Sequence, residues 1–203
     1  MKLETYIENE IIPRYLGFDR AHRPEHAKSV IDRSLKLAEI YGLDLRMVYA
    51  AAAYHDTGLA EGRERHHLVS GRIIREDRML REWFTEEQIE TIAEAAEDHR
   101  ASAAREPRSI YGRVLAEADR QIDPELTVRR TVQYGLSHYP EMGKEEHWRR
   151  MLEHLQEKYA EGGYLKLLIP ESDNARRLEE LRSLMKDRSR LREIFGIIDI
   201  FGW

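Results

Sequence analysis

An all-α fold is predicted by three features of this 203-residue sequence: apolar residues recur at helical spacing along nearly the whole chain, strong helix formers dominate with few β-branched runs, and isolated Gly and Pro punctuate the pattern. In order, helices are expected over residues 3–15, 25–41, 44–57, 66–77, 85–99, 108–121, 124–139, 144–160 and 173–194. Pro24 stands where a helix accepts proline, in its first turn, and Gly42, Gly58 and the Gly162-Gly163 pair mark helix ends. Between Gly162 and Pro170, the run Tyr164-Leu165-Lys166-Leu167-Leu168-Ile169 is the one candidate strand, a packed loop or lid being the alternative. No internal repeat or low-complexity linker interrupts the chain. Residues 1–125 are therefore expected to form a helical core, with 126–203 a C-terminal helical extension packed on the same body. The last residues, Phe195 to Trp203, are too apolar for water and are expected to pack on the body or on a second subunit of a homodimer.

Composition narrows the function classes. Charged residues make up 35% of the chain and hydrophobic ones 41%, with a net charge of −5 and both signs interspersed, as in a soluble protein. Basic residues gather on no segment and the pI is near 6.0, so a nucleic-acid polymer is not an expected partner. Cysteine is absent, which removes disulfides and thiolate metal sites and leaves imidazole and carboxylate as the available ligands. Met1 to Tyr15 is acidic and lacks the apolar core of a signal peptide, and no run reaches the roughly 20 apolar residues of a membrane span. A cytoplasmic location with no membrane partner is the expectation.

Several helices carry an ionisable side chain where an apolar one belongs. On the helix ending at His99 the stripe is Ile89, Ile92, Ala96, His99; on the next it is Tyr111, Leu115, Asp119, continued by Ile122. Val48, Ala52 and His55 form one stripe and Tyr49, Ala52 and Asp56 its neighbour, while His26 precedes Val30 by one turn. An unpaired buried carboxylate is prohibitively costly and a buried imidazole also needs a partner, so these groups are expected to meet one another or to surround a cation. Any one of them alone would read as a satisfied core residue. The ordered set on separate helices of a cysteine-free chain does not.

That set resembles the HD superfamily of metal-dependent phosphohydrolases. The match runs through Arg23-Pro24-Glu25-His26, the doublet His55-Asp56 within Ala53-Tyr54-His55-Asp56-Thr57-Gly58, His67 followed by Ser70-Gly71, His99 within Glu97-Asp98-His99-Arg100, and Asp119 within Ala116-Glu117-Ala118-Asp119-Arg120. It spans about residues 22–122, and His67 and His99 are similar to the extra histidines of the two-metal subgroup that includes the bacterial dinucleoside tetraphosphate hydrolases. His67 is preferred over its neighbour His66 because Gly71 follows at the family's spacing of four, which leaves His66 at the rim or supporting a ligand. The cyclic-dinucleotide phosphodiesterases are disfavoured, since Thr57-Gly58-Leu59-Ala60 lacks the lysine they place after the doublet, and the alarmone hydrolases are disfavoured for want of a second acidic pair.

The resemblance implies one metal on His26, His55, Asp56 and Asp119 and a second on His67 and His99, with Asp56 bridging and His55 and Asp56 counted as catalytic. Iron, manganese, cobalt, nickel and zinc all suit such ligands. Two cations about 3.5–4 Å apart clamp the attacking and leaving oxygens and acidify a bound water, which attacks phosphorus. Arg100, Arg105 and Arg108, in the stretch between two ligand-bearing helices, are the expected phosphate-binding cations, because guanidinium matches phosphate bidentately. The expected substrate is a small phosphorylated metabolite, a nucleotide or dinucleotide first. A diiron oxygenase of the same superfamily is the alternative, and an inactive binding module a third. His138, His147 and His154 are expected to be ordinary polar positions, as no second ligand cluster accompanies them.

Overall fold

The computed structural model describes residues 1–19, 22–100 and 105–200. Among them the fold is all-α and contains no strand. The chain divides into two compact units, Met1–Arg120 and Gln121–Trp203.

The first unit opens with α1 (Leu3–Tyr6), which widens into a π turn over Ile7–Ile11 and then tightens to a 3₁₀ helix over Ile12–Gly17. One regular helix over 3–15 was expected. Pro13 explains the departure: it has no N–H to give and its ring collides with the preceding turn, so the hydrogen-bonding pattern changes register around it. The segment is nonetheless core, with Leu3, Ile7, Ile11, Ile12 and Tyr15 all buried.

α2 (Pro24–Ile40) starts on its proline as expected and buries Ala27, Val30, Ile31, Ser34, Leu37 and Ala38. α3 (Leu45–Tyr54) is capped by Asp44, whose carboxylate accepts the N–H groups of Arg46 and Met47. Its run of alanines from Ala50 to Ala53 is entirely buried, which lets α2 and later helices approach its backbone closely and makes it the central rod of the unit. A 3₁₀ turn over Thr57–Glu61 leads to α4 (His66–Glu76) and another over Arg78–Glu82 to α5 (Glu86–Asp98), which begins with a reciprocal capping box between Thr85 and Gln88. α6 (Ile110–Asp119), capped by Ser109, buries Val114, Leu115, Ala116 and Ala118. Asp77, just past α4, receives the hydroxyls of Tyr6 (2.7 Å) and Tyr54 (2.5 Å), tying the N-terminal segment to the end of α3.

The second unit consists of α7 (Pro124–His138), α8 (Lys144–Tyr159), α9 (Asn174–Lys186) and α10 (Arg188–Ile200). Val128, Val132, Met151, Leu155, Leu178, Leu181, Leu191 and Ile194 are its core. The expected single helix over 173–194 breaks at Asp187, whose carboxylate caps α10 by accepting the N–H of Arg190. Residues 162–170 are irregular; the N–H groups of Tyr164 and Leu165 complete the end of α8 by donating to the carbonyls of Glu157 and Lys158, so the segment is a packed loop and not a strand. Of the apolar C-terminal run, Phe195 is buried edge-on against Trp148 at 5.4 Å, and residues 201–203 lie outside the described residues. No helix among the described residues is long and apolar enough to cross a membrane.

Candidate metal centre

The helix ends of the first unit bring their ionisable side chains to one place. His26 comes from the first turn of α2, His55 and Asp56 from the two residues after α3, His66 from the start of α4, His99 from the residue after α5, and Asp119 from the last residue of α6. His26 Nε2 lies 3.2 Å from His55 Nε2, 3.5 Å from Asp56 Oδ2 and 3.3 Å from Asp119 Oδ1. His55 Nε2 is 3.2 Å from Asp56 Oδ2 and 3.8 Å from Asp119 Oδ1. On the other side of the same carboxylate, Asp56 Oδ1 is 3.3 Å from His66 Nε2 and 3.5 Å from His99 Nε2, which are 3.3 Å from each other. Asp56 is thus shared, one oxygen to each group.

The end of α3 explains why the doublet can stand there. A helix leaves its last carbonyls without intrahelical partners. Here three in succession are taken by side chains: Ala52 O accepts from His55 Nδ1 (2.7 Å), Ala53 O from the Tyr15 hydroxyl (2.9 Å) and Tyr54 O from the Thr57 hydroxyl (2.7 Å). Satisfied in this way, the helix stops at Tyr54 rather than at 57 as expected, and Asp56 turns off at φ −108°, ψ 4° in the bridge region.

The same device recurs at the other histidines. Nδ1 of His66 faces the carbonyl of Arg63 at 2.7 Å and Nδ1 of His99 that of Ala96 at 2.5 Å, each three residues back, as for His55. A carbonyl can only accept, so Nδ1 carries a proton in all three rings, and Nε2 is the atom each ring would offer as a lone-pair ligand. Three lone pairs aimed at a carboxylate and at one another repel unless positive charge lies among them. This donor set, with its rings fixed from behind, fits divalent cations. Among the described residues, two groups meet the distance requirement for holding one: His26, His55 and Asp56, and Asp56, His66 and His99.

The electrostatics agree. Burial alone would raise the Asp56 and Asp119 carboxyls, but the surrounding imidazoles outweigh it and hold both well below the usual carboxylate range. Burial lowers His26, yet Asp119 and Asp56 push it up to about 9. His99 is likewise raised, against burial, by Asp56. His66 is lowered to about 4 by burial and the charge of His99. Two ionised carboxylates thus draw positive charge into a buried cluster.

Of the residues expected from sequence, His26, His55, Asp56, His99 and Asp119 come together. His67 is not among them, and the choice between the two adjacent histidines is corrected: His66 faces Asp56 and His99. Gly71 misled because it makes room for another partner. A Cβ there would stand 2.4 Å from Glu97 Oε1, so the glycine admits the Glu97 side chain and not a ligand. His66, Ser70 and Ile74, spaced by four and with Ser70 and Ile74 at 0% exposure, mark the inward stripe instead. Gly58 seats this helix: its N–H donates to Ser70 Oγ at 2.9 Å, and a Cβ would stand 2.1 Å from the His66 carbonyl oxygen.

The arginines also read differently. Arg108 is held by carboxylates on three sides, giving Nε to Asp98, Nη2 to Glu97 at 2.6 Å and Nη1 to Glu94 at 3.2 Å. Arg105 Nη2 donates to Asp98 at 3.0 Å. Both anchor their segment to the end of α5, whereas Arg100 donates to the carbonyl of Glu64 at 2.7 Å. Residues 101–104 between them lie outside the described residues. In the second unit His138 stacks on Tyr134 at 3.9 Å and His147 is buried beside no second ligand group among the described residues. Tyr15, which sequence reasoning passed over, touches both the α3 end and the Asp56 main chain.

An all-α unit that gathers imidazoles and carboxylates from helix ends defines the class, and comparison with known proteins gives the family. Residues 23–121, just under half of the chain, match the model of the HD domain. A crystal structure at 1.45 Å of a predicted HD superfamily hydrolase from an uncultured Thermotogales bacterium is similar in fold, with TM-score 0.51 and 20% identity, over 77% of this chain and 96% of that one. Comparison with curated proteins gives no significant match. An HD domain with this donor set supports metal-dependent phosphohydrolase chemistry as a class.

Proposed function

We propose that the chain is a metal-dependent phosphohydrolase of the two-cation HD subgroup, acting on a small phosphorylated metabolite, a nucleotide or dinucleotide first. One observation carries the reading: Asp56 divides its two oxygens between a His26–His55 group and a His66–His99 group, all at 3.2–3.5 Å, with the rings of His55, His66 and His99 anchored through Nδ1. His26, His55, Asp56 and Asp119 would hold one cation and His66 and His99 a second, with Asp56 common to both. Bound divalent cations supply Lewis acidity at the phosphoryl oxygens and an acidified water. The residues do the rest. The buried imidazoles position the reacting groups, and Asp119, half-buried where Asp56 is buried, is the carboxylate through which a proton can leave for solvent. Arg100 remains the candidate phosphate contact.

Met1–Arg120 is, on this reading, the catalytic unit and the remainder a helical extension, with cytoplasmic residence, self-association into a homodimer, and neither nucleic-acid polymer nor membrane as partner. Arg105 and Arg108 also remain candidates, but because both already pair with carboxylates of α5 they weigh less toward phosphate, and the diiron oxygenase stands as the second reading. One experiment separates them: metal analysis of protein purified without chelator, with phosphate release screened over mononucleotides, dinucleoside polyphosphates and sugar phosphates under Mn, Fe, Co and Ni, and oxygen uptake followed in parallel. About two metals per chain with release from one substrate class is the expected result. Iron with oxygen uptake and no release from any phosphate would replace the hydrolase by the oxygenase.

A further inference from the structure

Tyr15 belongs to the N-terminal segment that precedes the HD-domain match at residues 23–121, yet its hydroxyl reaches the HD doublet. The side chain is at 0% exposure. Its hydroxyl donates to Ala53 O at 2.9 Å and accepts the main-chain N–H of Asp56 at 3.3 Å. Its ring lies 6.3 Å from that of His55.

The contact has a particular place in the site. Of the three side chains that take the last carbonyls of α3, His55 and Thr57 are local, three residues from their acceptors, and act wherever the helix goes. Tyr15 acts across 38 residues. It also alone spans the turn, joining a carbonyl inside the helix to the N–H of the residue that carries the shared carboxylate. The peptide at Asp56 is thereby fixed against α3 by a group from outside the HD domain.

We infer that Tyr15 is a positioning residue for Asp56, and that residues 1–17 complete the metal centre rather than merely covering the core. The hydroxyl sets the direction in which the Asp56 carboxylate leaves the chain, and so whether one oxygen can serve each histidine group. This inference rests on the metal reading of the site.

The test uses the full chain and Co(II), whose visible spectrum reports ligand geometry independently of turnover. Tyr15→Phe keeps the ring and removes only the hydroxyl. Tyr6→Phe, which removes a hydroxyl from the same segment but from a bond to Asp77, controls for general loosening. Thermal melts establish that each variant is folded. The expected result is Co(II) affinity lowered by about 10–100-fold in Tyr15→Phe, the scale typical of lost supporting contacts, with altered visible bands, while Tyr6→Phe keeps the wild-type isotherm and bands. Identical isotherms and bands in wild type and Tyr15→Phe would overturn the inference while leaving the metal reading intact. Equal weakening in Tyr15→Phe and Tyr6→Phe would also overturn it, by showing that the segment acts through the fold alone. A wild-type chain that binds no Co(II) would remove the metal reading, and the inference with it.

Discussion

Gly58→Ala is the substitution for which the structure yields the most definite consequence. The added Cβ would stand 2.1 Å from the carbonyl oxygen of His66, 2.7 Å from the N of Ser70 and 2.8 Å from the Cβ of Val69, where ordinary contact begins at 3.4 Å. Two of these atoms are main chain on the first turns of α4, so no rotamer change relieves them, and α4 must retreat by about 1 Å. Overpacking of this kind costs about 1–3 kcal/mol, and weakening of the Gly58 N–H to Ser70 hydroxyl bond adds about 1 kcal/mol. For a domain of this size the melting temperature should fall by roughly 5–15 °C. The functional effect exceeds the thermal one in diagnostic value. His66 rides on the displaced turn, and coordination tolerates only about 0.2 Å of ligand displacement, so on the proposed two-cation reading the cation held by His66 and His99 should bind about 10–100-fold more weakly while the other is retained. Co(II) titration with parallel melts measures both. Gly17→Ala, where no atom lies within 4 Å of the new Cβ, is the control and should match wild type. If Gly58→Ala melts with the wild type and takes up two cations with undiminished affinity, the argument that this glycine seats α4 against the doublet is wrong.

Adjacent histidines offer a sharper contrast: His66→Ala should lose the second cation and His67→Ala should keep it, and metal stoichiometry by elemental analysis would show the reverse if His67 were the ligand. Arg108→Ala should lower stability by about 1–3 kcal/mol, because Asp98, with 2% of its side chain exposed, loses much of its charge partner; urea unfolding measures this, and KM for a phosphate ester should not move. A raised KM at unchanged stability would restore Arg108 to the substrate site. For the chelated protein, stability should be highest between the carboxylate and imidazole ranges. His26, raised from 6.5 to about 9, contributes fully below 6.5 and loses its contribution as pH rises through about 9. Asp56 and Asp119, both depressed, contribute above the usual carboxylate value of 3.8 and lose their contribution as pH falls through their lower folded values. Loaded protein should behave oppositely on the alkaline side, since metal ligands must be deprotonated, and melts with and without chelator from pH 6 to 9 would expose parallel curves as a refutation.

Helical periodicity was enough to place most of the fold, because each amphipathic stripe is a local property of the sequence. The exceptions lie where a side chain overrides the pattern. Pro13 changes the helical register within 3–15, a local signal that the stripe concealed. Asp187 interrupts the last long helix without any glycine or proline, since a carboxylate that can cap a new helix is enough to start one. At the site, carboxylates and imidazoles on apolar stripes were legible for the same reason the helices were. The partners of Gly71 were not: Glu97 reaches it from another helix, and only tertiary packing says which face of α4 looks inward. The role of Arg108 had a readable signal, since Glu94, Glu97 and Asp98 line one face of α5 and form an acidic cradle. Tyr15 had none, because its partners are main-chain atoms that any residues would supply.

The six donors share a location that follows from how helices end. A helix interior uses every carbonyl in its own ladder, so an imidazole there finds no main-chain acceptor to fix its ring. At a helix end such carbonyls are free, and His55 and His99 each take one through Nδ1, directing the other nitrogen forward. The same ends carry partial charge. α3, α5 and α6 bring their C-terminal, negative ends to the cluster, and α2 and α4 their N-terminal, positive ones. Three negative ends against two positive ones, added to the two carboxylates of Asp56 and Asp119, leave the cluster favouring positive charge even before the imidazole lone pairs are considered. A cluster so constructed would repel an anion placed directly on it. A phosphate could be bound there only with cations interposed, which is why metal loading should precede phosphate-ester binding: in the chelated protein no phosphate ester should bind, and calorimetric titration showing equal affinity with and without metal would contradict the assignment of these six side chains as ligands.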